Sequence, residues 1–303
     1  MKISPGKLDK ELQPSNTEGL KGPLVTIFCI PRSFEGKTAI RQENAISSWC
    51  RLRPYVDVVL MGDEPGVRKM ASKMRTVHIV NVERNSLGTP LLSDAFAKAN
   101  KICESPFLAY FNADIILIDD FVQSMRQLAK SELGDFLAIG RRIELDLDRP
   151  IDFSNNKSVN ALVDLIESKG RYASILCKDY FVFRRGCFRS IPEFAIGRGN
   201  WDNWLVFHAK RNRIPVVDLT RSTTAVHSIH QYEHVPGGRG KAYISGPEAK
   251  ENQKLAGGRH LISGSTANWQ LDSNGLSRKK MPSRAFFADL PHSVKLVRKL
   301  LFC

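Results

Sequence analysis

The sequence has no run of roughly 18–20 apolar residues, the length a helix needs to cross a bilayer. Met1 to Pro23 is polar and lacks an apolar signal-peptide core. A soluble or membrane-peripheral protein of the cytoplasm is therefore expected. The six cysteines (Cys29, Cys50, Cys103, Cys177, Cys187 and Cys303) include no C-x-x-C pair, and several sit inside apolar runs where a buried thiol acts as a small hydrophobe. This argues against a secreted disulfide scaffold and for a reducing compartment. A phosphate-binding P-loop is absent too. The glycine clusters Pro236-Gly-Gly-Arg-Gly240 and Ala256-Gly-Gly-Arg259 neither follow a strand pattern nor open a helix, so they read as loops. There is no internal repeat. No nucleic-acid-binding module accompanies the net charge of +14, half of which comes from the ten Lys/Arg and three acids between Lys250 and Cys303. Nucleic acid is not an expected partner.

What is present is a chain of 303 residues, 42% hydrophobic, long enough to bury a large core. Leu24 to Ile30 is an apolar, β-branched run stopped by Pro31, and Ala39, Ile40, Ile46 and Trp49 give Thr38 to Cys50 a helical spacing. Val56 to Met61 and Val77 to Val80 read as further strands, with a short helix over Gly66 to Met74 between them. Leu91, Leu92, Ala95, Phe96 and Ala99 predict a helix over Pro90 to Cys103, with Pro90 in its first turn. Asp119 can cap another helix reaching about Lys130, and Phe136 to Ile139 is the next strand. This alternation of β and α points to a mostly parallel sheet with helices on both sides. The second half is less regular. Arg142 to Lys169 mixes acidic and polar residues, and Tyr180 to Phe183 and Val216 to Leu219 read as short strands.

The most informative segment is Phe107-Leu-Ala-Tyr-Phe-Asn-Ala-Asp114, an unbroken apolar run that ends in an amide and a carboxylate two residues apart. Such a run predicts a strand buried on both faces. Residues at i and i+2 of a strand point the same way, so Asn112 and Asp114 are expected to present their oxygens together at its carboxyl end. That is the edge where open α/β sheets bind ligands. A bland reading also exists, because acidic residues commonly turn the chain at strand ends.

The order Val25-Thr-Ile-Phe-Cys-Ile-Pro31, a helix, Val56-Asp-Val-Val-Leu-Met-Gly-Asp63, then Asn112-Ala-Asp114 resembles the nucleotide-sugar half of family 2-like glycosyltransferases with the GT-A fold. The likeness covers about the first 140 residues well and several motifs of the next hundred loosely. It implies a GT-A-like α/β/α sandwich, with a mostly parallel central sheet in the N-terminal half and an irregular α+β acceptor half. It also implies that Asp63 contacts the nucleotide base or ribose and that the backbone at Pro31 lines the base pocket. The Asp-x-Asp motif, which holds a Mn²⁺ or Mg²⁺ ion bridging the donor diphosphate, falls on Asn112 and Asp114. With Asn first, Asp114 becomes the principal ligand, since an amide oxygen is neutral and weaker while hard cations complete their shell with phosphate and water.

Inverting glycosyl transfer needs a base for the acceptor hydroxyl. Gly197-Arg-Gly-Asn-Trp-Asp-Asn-Trp204 resembles the acidic segment that supplies it, which points to Asp202. Trp201 is a candidate acceptor platform, whereas Trp204 fits core packing on a helix face with Leu205 and His208. Asp202 could instead cap that helix. In GT-A relatives a histidine beyond this segment supplies a further cation ligand, which implies His227, with His230 second. The spacing of His227, His230 and His234 would alternatively suit zinc on a helix, although the nearby strand and glycine signals speak against a long helix. Arg141, Arg142, Arg184, Arg185 and Arg198 could pair with diphosphate or an acidic acceptor, or be ordinary surface charge, Arg198 being the preferred candidate.

Leu290, Val294, Leu296, Val297, Leu300 and Leu301 share one side of a predicted C-terminal helix, with Lys295, Arg298 and Lys299 on the other. Such a helix can lie on an anionic membrane or dock on its own domain. The expected organisation is a polar extension over 1–22, a GT-A-like domain over 23–250 divided near 140 into nucleotide-sugar and acceptor halves, and a basic extension over 251–303. The expected function is hexosyltransferase-like. A sugar passes from a nucleotide-sugar donor, a UDP-sugar by resemblance, to a hydroxyl of a glycan or lipid-linked acceptor in carbohydrate biosynthesis. Two alternatives stay open: a non-catalytic carbohydrate- or nucleotide-binding partner in an envelope assembly, and a sugar nucleotidyltransferase, for which Pro31-Arg-Ser-Phe-Glu-Gly-Lys37 is only a faint phosphate-loop match.

Overall fold

The computed structural model describes residues 22–229, 240–258 and 266–279. Strand β1 (Val25–Cys29) leads through helix α1 (Gly36–Arg51) to β2 (Val56–Met61), and α2 (Val67–Met74) leads to β3 (Val77–Ile79). Helix α3 (Leu92–Ile102) precedes β4 (Phe107–Phe111), which is followed by β5 (Ile115–Leu117), α4 (Asp120–Lys130), β6 (Leu137–Ile139) and β7 (Ile143–Leu145). The remainder comprises α5 (Asn156–Lys169), β8 (Arg171–Tyr172), β9 (Tyr180–Arg184), α6 (Trp201–Arg211), β10 (Val216–Asp218), β11 (Ala225–Ser228), α7 (Pro247–Leu255), β12 (Trp269–Asp272) and β13 (Gly275–Arg278).

Nine strands form the main sheet in the order β13-β12-β10-β6-β9-β4-β1-β2-β3. Neighbours run parallel except where β9 inserts between β4 and β6 and where β13 pairs with β12. Every residue of β1 and of β4 is buried, because helices cover both faces and no polar alternation is needed. The pleat divides these side chains between two cores. Ile27, Phe107, Phe111, Tyr180 and Val182 pack with residues of α1, α4 and α5, whereas Phe28, Tyr110, Phe181 and Phe183 pack with α3 and α6. This is an α/β/α sandwich with a mostly parallel central sheet. A smaller sheet, β5-β11-β7-β8, lies beside it, and β11 runs antiparallel to β5 with His227 opposite Ile115.

Several expectations change in detail. β4 stops at Phe111, and Asn112 to Asp114 form a turn in which the Ile115 amide donates to the Asn112 carbonyl at 3.2 Å. Strand alternation therefore does not align Asn112 with Asp114. Pro90 lies before α3 in an isolated bridge to Arg84 rather than in the first helical turn. Asp119 sits at the start of α4 but makes no side-chain cap, its carboxylate accepting from Arg51 Nη2 at 3.4 Å instead. The mixed stretch after Arg142 contains α5, capped by Asn155 Oδ1 accepting from the Lys157 amide, with Val159, Leu162, Val163 and Ile166 on its buried face. The boundary expected at residue 250 falls inside α7, and β12 and β13 beyond it belong to the main sheet.

Among the described residues no helix is long and apolar enough to cross a membrane. The candidate helix over Leu290 to Leu301 lies outside the described residues. Cys29, Cys50 and Cys103 are buried free thiols, as expected of small core hydrophobes, and burial pushes Cys50 and Cys103 up to about 11. Asp120 is a different kind of buried group. Desolvation raises its carboxyl from 3.8 to about 7, outweighing the hydrogen bond that Oδ2 accepts from the Thr224 amide at 2.9 Å. The folded state thus holds this proton more tightly than the unfolded chain. The resulting stabilisation is full below about pH 4 and is lost as pH rises through about 7. Asp120→Asn keeps an acceptor for Thr224 and removes the ionisable group. It should gain about 1–3 kcal/mol over wild type between pH 5 and pH 8 in urea denaturation, and a pH-independent difference would refute the assignment.

Candidate active site

A cavity of about 390 Å³ opens at the carboxyl edge of β1 and β4. From β1 the chain continues outward to β2 and β3, while β4 lies on its other side, so this is the crevice where an open sheet changes winding direction. Pro31 lines it. The loop is fixed by buried Gln42 of α1, whose Oε1 accepts from the Arg32 amide at 2.7 Å and whose Nε2 donates to the Arg32 carbonyl at 3.0 Å.

Asp114 and His227 meet on the cavity wall, with His227 Nε2 3.4 Å from Asp114 Oδ2. The pairing of β11 with β5 explains the meeting, because His227 lies opposite Ile115, the residue after Asp114. His230 and His234 lie outside the described residues. His227 itself is on a strand, so helical H-x2-H spacing does not apply to it.

Asn112 is held by a residue that the sequence reading overlooked. Asp179, immediately before β9, accepts at Oδ1 from Asn112 Nδ2 at 3.0 Å and from Arg142 Nη1 at 2.7 Å. The Asn112 amide donates to the Asp179 carbonyl at 2.9 Å, and Arg142 reaches Glu144 at 3.1 Å. Among the described residues Asp179 Oδ2 is buried without a hydrogen-bond partner. Since Asn112 turns its amide nitrogen to Asp179, its side-chain oxygen is left to face elsewhere.

Asp202 occupies the first turn of α6 and lines the same cavity. Burial raises its carboxyl above the usual range, and the Lys178 ammonium counters only part of that rise. Burial also lowers Lys178, which donates to the Leu176 carbonyl and to Asn203 Oδ1. The turn into α6 is tight. A Cβ on Gly199 would stand 2.8 Å from the Tyr243 carbonyl oxygen, so glycine lets the two segments close together. Trp201 touches the cavity but is mostly core, 5% exposed, edge-on to Tyr110 at 5.4 Å and tilted against Phe181. Trp204 is core as expected, stacked on His208.

Two candidates are held by protein partners. Asp63 is not on the cavity wall; Glu64 is. Arg84 Nη2 draws Asp63 outward at 2.7 Å and holds Glu64 at 2.9 Å, leaving the Asp63 side chain 64% exposed with its pKa lowered by that hydrogen bond. Arg198 lines the cavity, but its Nε donates to Glu248 Oε2 at 2.6 Å, so it is engaged by protein. Arg142 is no surface charge, its side chain being 12% exposed. Asp179 and Lys178 had one weak signal, a charged pair directly before an apolar strand pattern. Only the antiparallel direction of β9 brings that pair to the ligand edge.

No group of three or more His, Cys, Asp or Glu suited to a metal occurs among the described residues. One carboxylate, one imidazole and a nearby amide oxygen do fit a Mn²⁺ or Mg²⁺ ion that takes its other ligands from phosphate and water.

No protein-family model and no curated protein matches the chain in sequence. Solved structures are similar in shape. The chain is similar to S. aureus TarS 1-349 in complex with UDP-GlcNAc (TM-score 0.48, 14% identity, 77% of this chain and 65% of that one). It is also similar to the mannosyltransferase PcManGT from Pyrobaculum calidifontis in complex with GDP-Man and Mn²⁺ (0.43, 13%, 69% and 58%). A third is glucosyl-3-phosphoglycerate synthase from Mycobacterium tuberculosis with Mg²⁺ and UDP (0.42, 16%, 69% and 73%). The chain spans 36% of a longer TarS structure.

The buried pair Asp179–Arg142 yields a direct test. Asp179→Ala leaves Arg142 with Glu144 alone and should destabilise the fold by about 2–4 kcal/mol in urea denaturation. A loss below about 1 kcal/mol would mean that Glu144 suffices.

Proposed function

We propose that this chain is a glycosyltransferase that moves a sugar from a nucleotide-sugar donor, probed first as a UDP-sugar, to a hydroxyl of a glycan or lipid-linked acceptor, with inversion and with a divalent cation. One observation carries this reading. The Asp114–His227 pair and the raised carboxyl of Asp202 line a single cavity at the switch point of the sheet. Asp114 and His227 would hold the cation, which when bound neutralises charge on the donor diphosphate. Asn112 would orient the diphosphate, and the loop at Pro31, with Arg32 and Arg41 beside it, would receive the nucleotide and phosphates. For the nucleoside itself Glu64 replaces Asp63 as the carboxylate within reach.

Asp202 would accept the proton of the acceptor hydroxyl as its oxygen bonds to the anomeric carbon. The nucleoside diphosphate then leaves with the electron pair of the broken C–O bond. Burial suits the role, since raising a carboxyl's pKa makes its ionised form a stronger base. Trp201 offers only an edge to the acceptor. The arginines of the cavity would share the leaving-group charge.

Thermal unfolding with UDP, with and without Mn²⁺, tests donor and metal together. A ligand at a hundredfold its Kd adds about 2.7 kcal/mol, a rise of roughly 4 °C for a chain of this size. Asp114→Ala should remove the Mn²⁺-dependent part. No Mn²⁺-dependent shift in wild type, or an unchanged one in the variant, would overturn the metal assignment.

Asp202→Asn should keep the UDP shift and lower kcat by about 10²–10⁴-fold once an acceptor is found. Retained turnover would remove Asp202 as base. UDP binding without transfer to any acceptor would favour a non-catalytic partner, and release of pyrophosphate from a nucleoside triphosphate and a sugar phosphate would favour a nucleotidyltransferase.

A further inference from the structure

A second cavity, of about 190 Å³, opens on the other side of the segment that enters β9. It lies at the same sheet edge, against the carboxyl ends of β6, β10 and β12, and Lys178 lines both cavities. Its floor depends on Gly140, where a Cβ would overlap the Tyr180 hydroxyl and approach the Thr220 amide at 3.3 Å. The volume suffices for a phosphate and several further heavy atoms, given that a single water needs roughly 10–15 Å³.

The charges there have one dominant sign. Arg141, Lys178, Arg221 and Lys279 face a single carboxylate, Asp218, which Lys279 Nζ already engages at 2.6 Å. Arg141 is held over the Tyr172 ring, with Cζ 5.1 Å from its centroid and with Nε and Nη2 both donating to the Ala173 carbonyl. Arg221 makes no ion pair among the described residues. The rim is apolar. Ile175 lines the cavity at 40% exposure, and its neighbour Leu176 is 50% exposed.

We propose that this second cavity binds a phosphate group, and that in the transfer reaction the phosphate belongs to the acceptor. Arg141 and Arg221 would bind the phosphate oxygens, and Lys178 would mark the passage to Asp202. The exposed Ile175 and Leu176 suit an acceptor whose phosphate continues into an apolar chain. The word acceptor rests on the glycosyltransferase reading; the phosphate site does not.

The full chain is tested in two arms: calorimetric titration with sn-glycerol 3-phosphate, and co-sedimentation with phosphatidylcholine vesicles with or without phosphatidic acid. Both arms are repeated with UDP and Mn²⁺ present and with Arg221→Glu, an exposed position outside the donor cavity. Arg221→Glu should weaken binding by about tenfold or more in at least one arm, with the UDP shift intact. Which arm responds separates a soluble phosphate ester from a lipid headgroup. The Arg221→Glu comparison also removes any contribution of the basic C-terminal segment to vesicle binding. No binding in either arm, binding that Arg221→Glu leaves unchanged, or glycerol phosphate displaced by UDP would overturn the site. Arg221-dependent binding in a chain that binds no UDP would retain the site and overturn the glycosyltransferase reading instead.

Discussion

One buried carboxylate, Asp179, ties together the segments on which both cavities depend. It sits where β9, antiparallel to both of its neighbours, enters the main sheet, and it holds Asn112 at the end of β4 and Arg142 before β7 through a single oxygen. A buried ion pair is rarely a net source of stability, because desolvating two charges costs about as much as their attraction returns. What it supplies here is registration. With Asn112 fixed, the turn through Asp114 and the start of β5 follow, and the pairing of β5 with β11 then brings His227 to Asp114. Stacking of Phe111 on Tyr180, with centroids 5.0 Å apart, supports the same junction from within the core.

This dependence explains what could be read from sequence and what could not. The first four main-sheet strands are nearly continuous apolar runs, and their order and punctuation gave the sheet and the residues at its tips. Pro31, Asn112, Asp114, Asp202 and His227 all reach one cavity. The i, i+2 reasoning for Asn112 and Asp114 failed because β4 ends a residue earlier, yet both residues arrive through a turn. Asp63 failed because Arg84, remote in sequence, pulls it outward. Asp179 was illegible because a lone strand pattern does not reveal its direction, and an antiparallel strand presents its amino end where its neighbours present their carboxyl ends. Two omissions did have signals: Asn155 before a helical apolar spacing for α5, and Asn274-Gly275 at the turn from Trp269–Asp272 into Gly275–Arg278 for the hairpin of β12 and β13.

The raised carboxyls show how burial alone fails to mark function. Asp120 and Asp202 are both shifted upward by desolvation. Asp120 is bonded to Thr224 and lines neither cavity, so its shift is a cost borne by the fold. Asp202 opens onto a cavity and lies beside an ammonium that burial weakens in turn. Each member of that pair is biased toward its neutral form. Such a pair exchanges protons with a bound group more readily than an exposed pair does, which is the ordinary condition for acid–base chemistry.

Charge also separates the two cavities. Around the first, Arg32, Arg41, Arg142, Lys178 and Arg198 are nearly balanced by Glu64, Asp114, Asp179 and Asp202, and two of the arginines are already bound by protein carboxylates. A diphosphate entering there would meet Asp114 as a repelling charge, which on the proposed reading a cation arriving with it would offset. Around the second cavity the cations exceed the single carboxylate, and an anion needs no companion. The chain's net charge of +14 reports neither condition, because half of it lies beyond residue 249. What distinguishes a metal-assisted phosphate site from a direct one is the local pairing of each arginine, and that pairing is set by the fold.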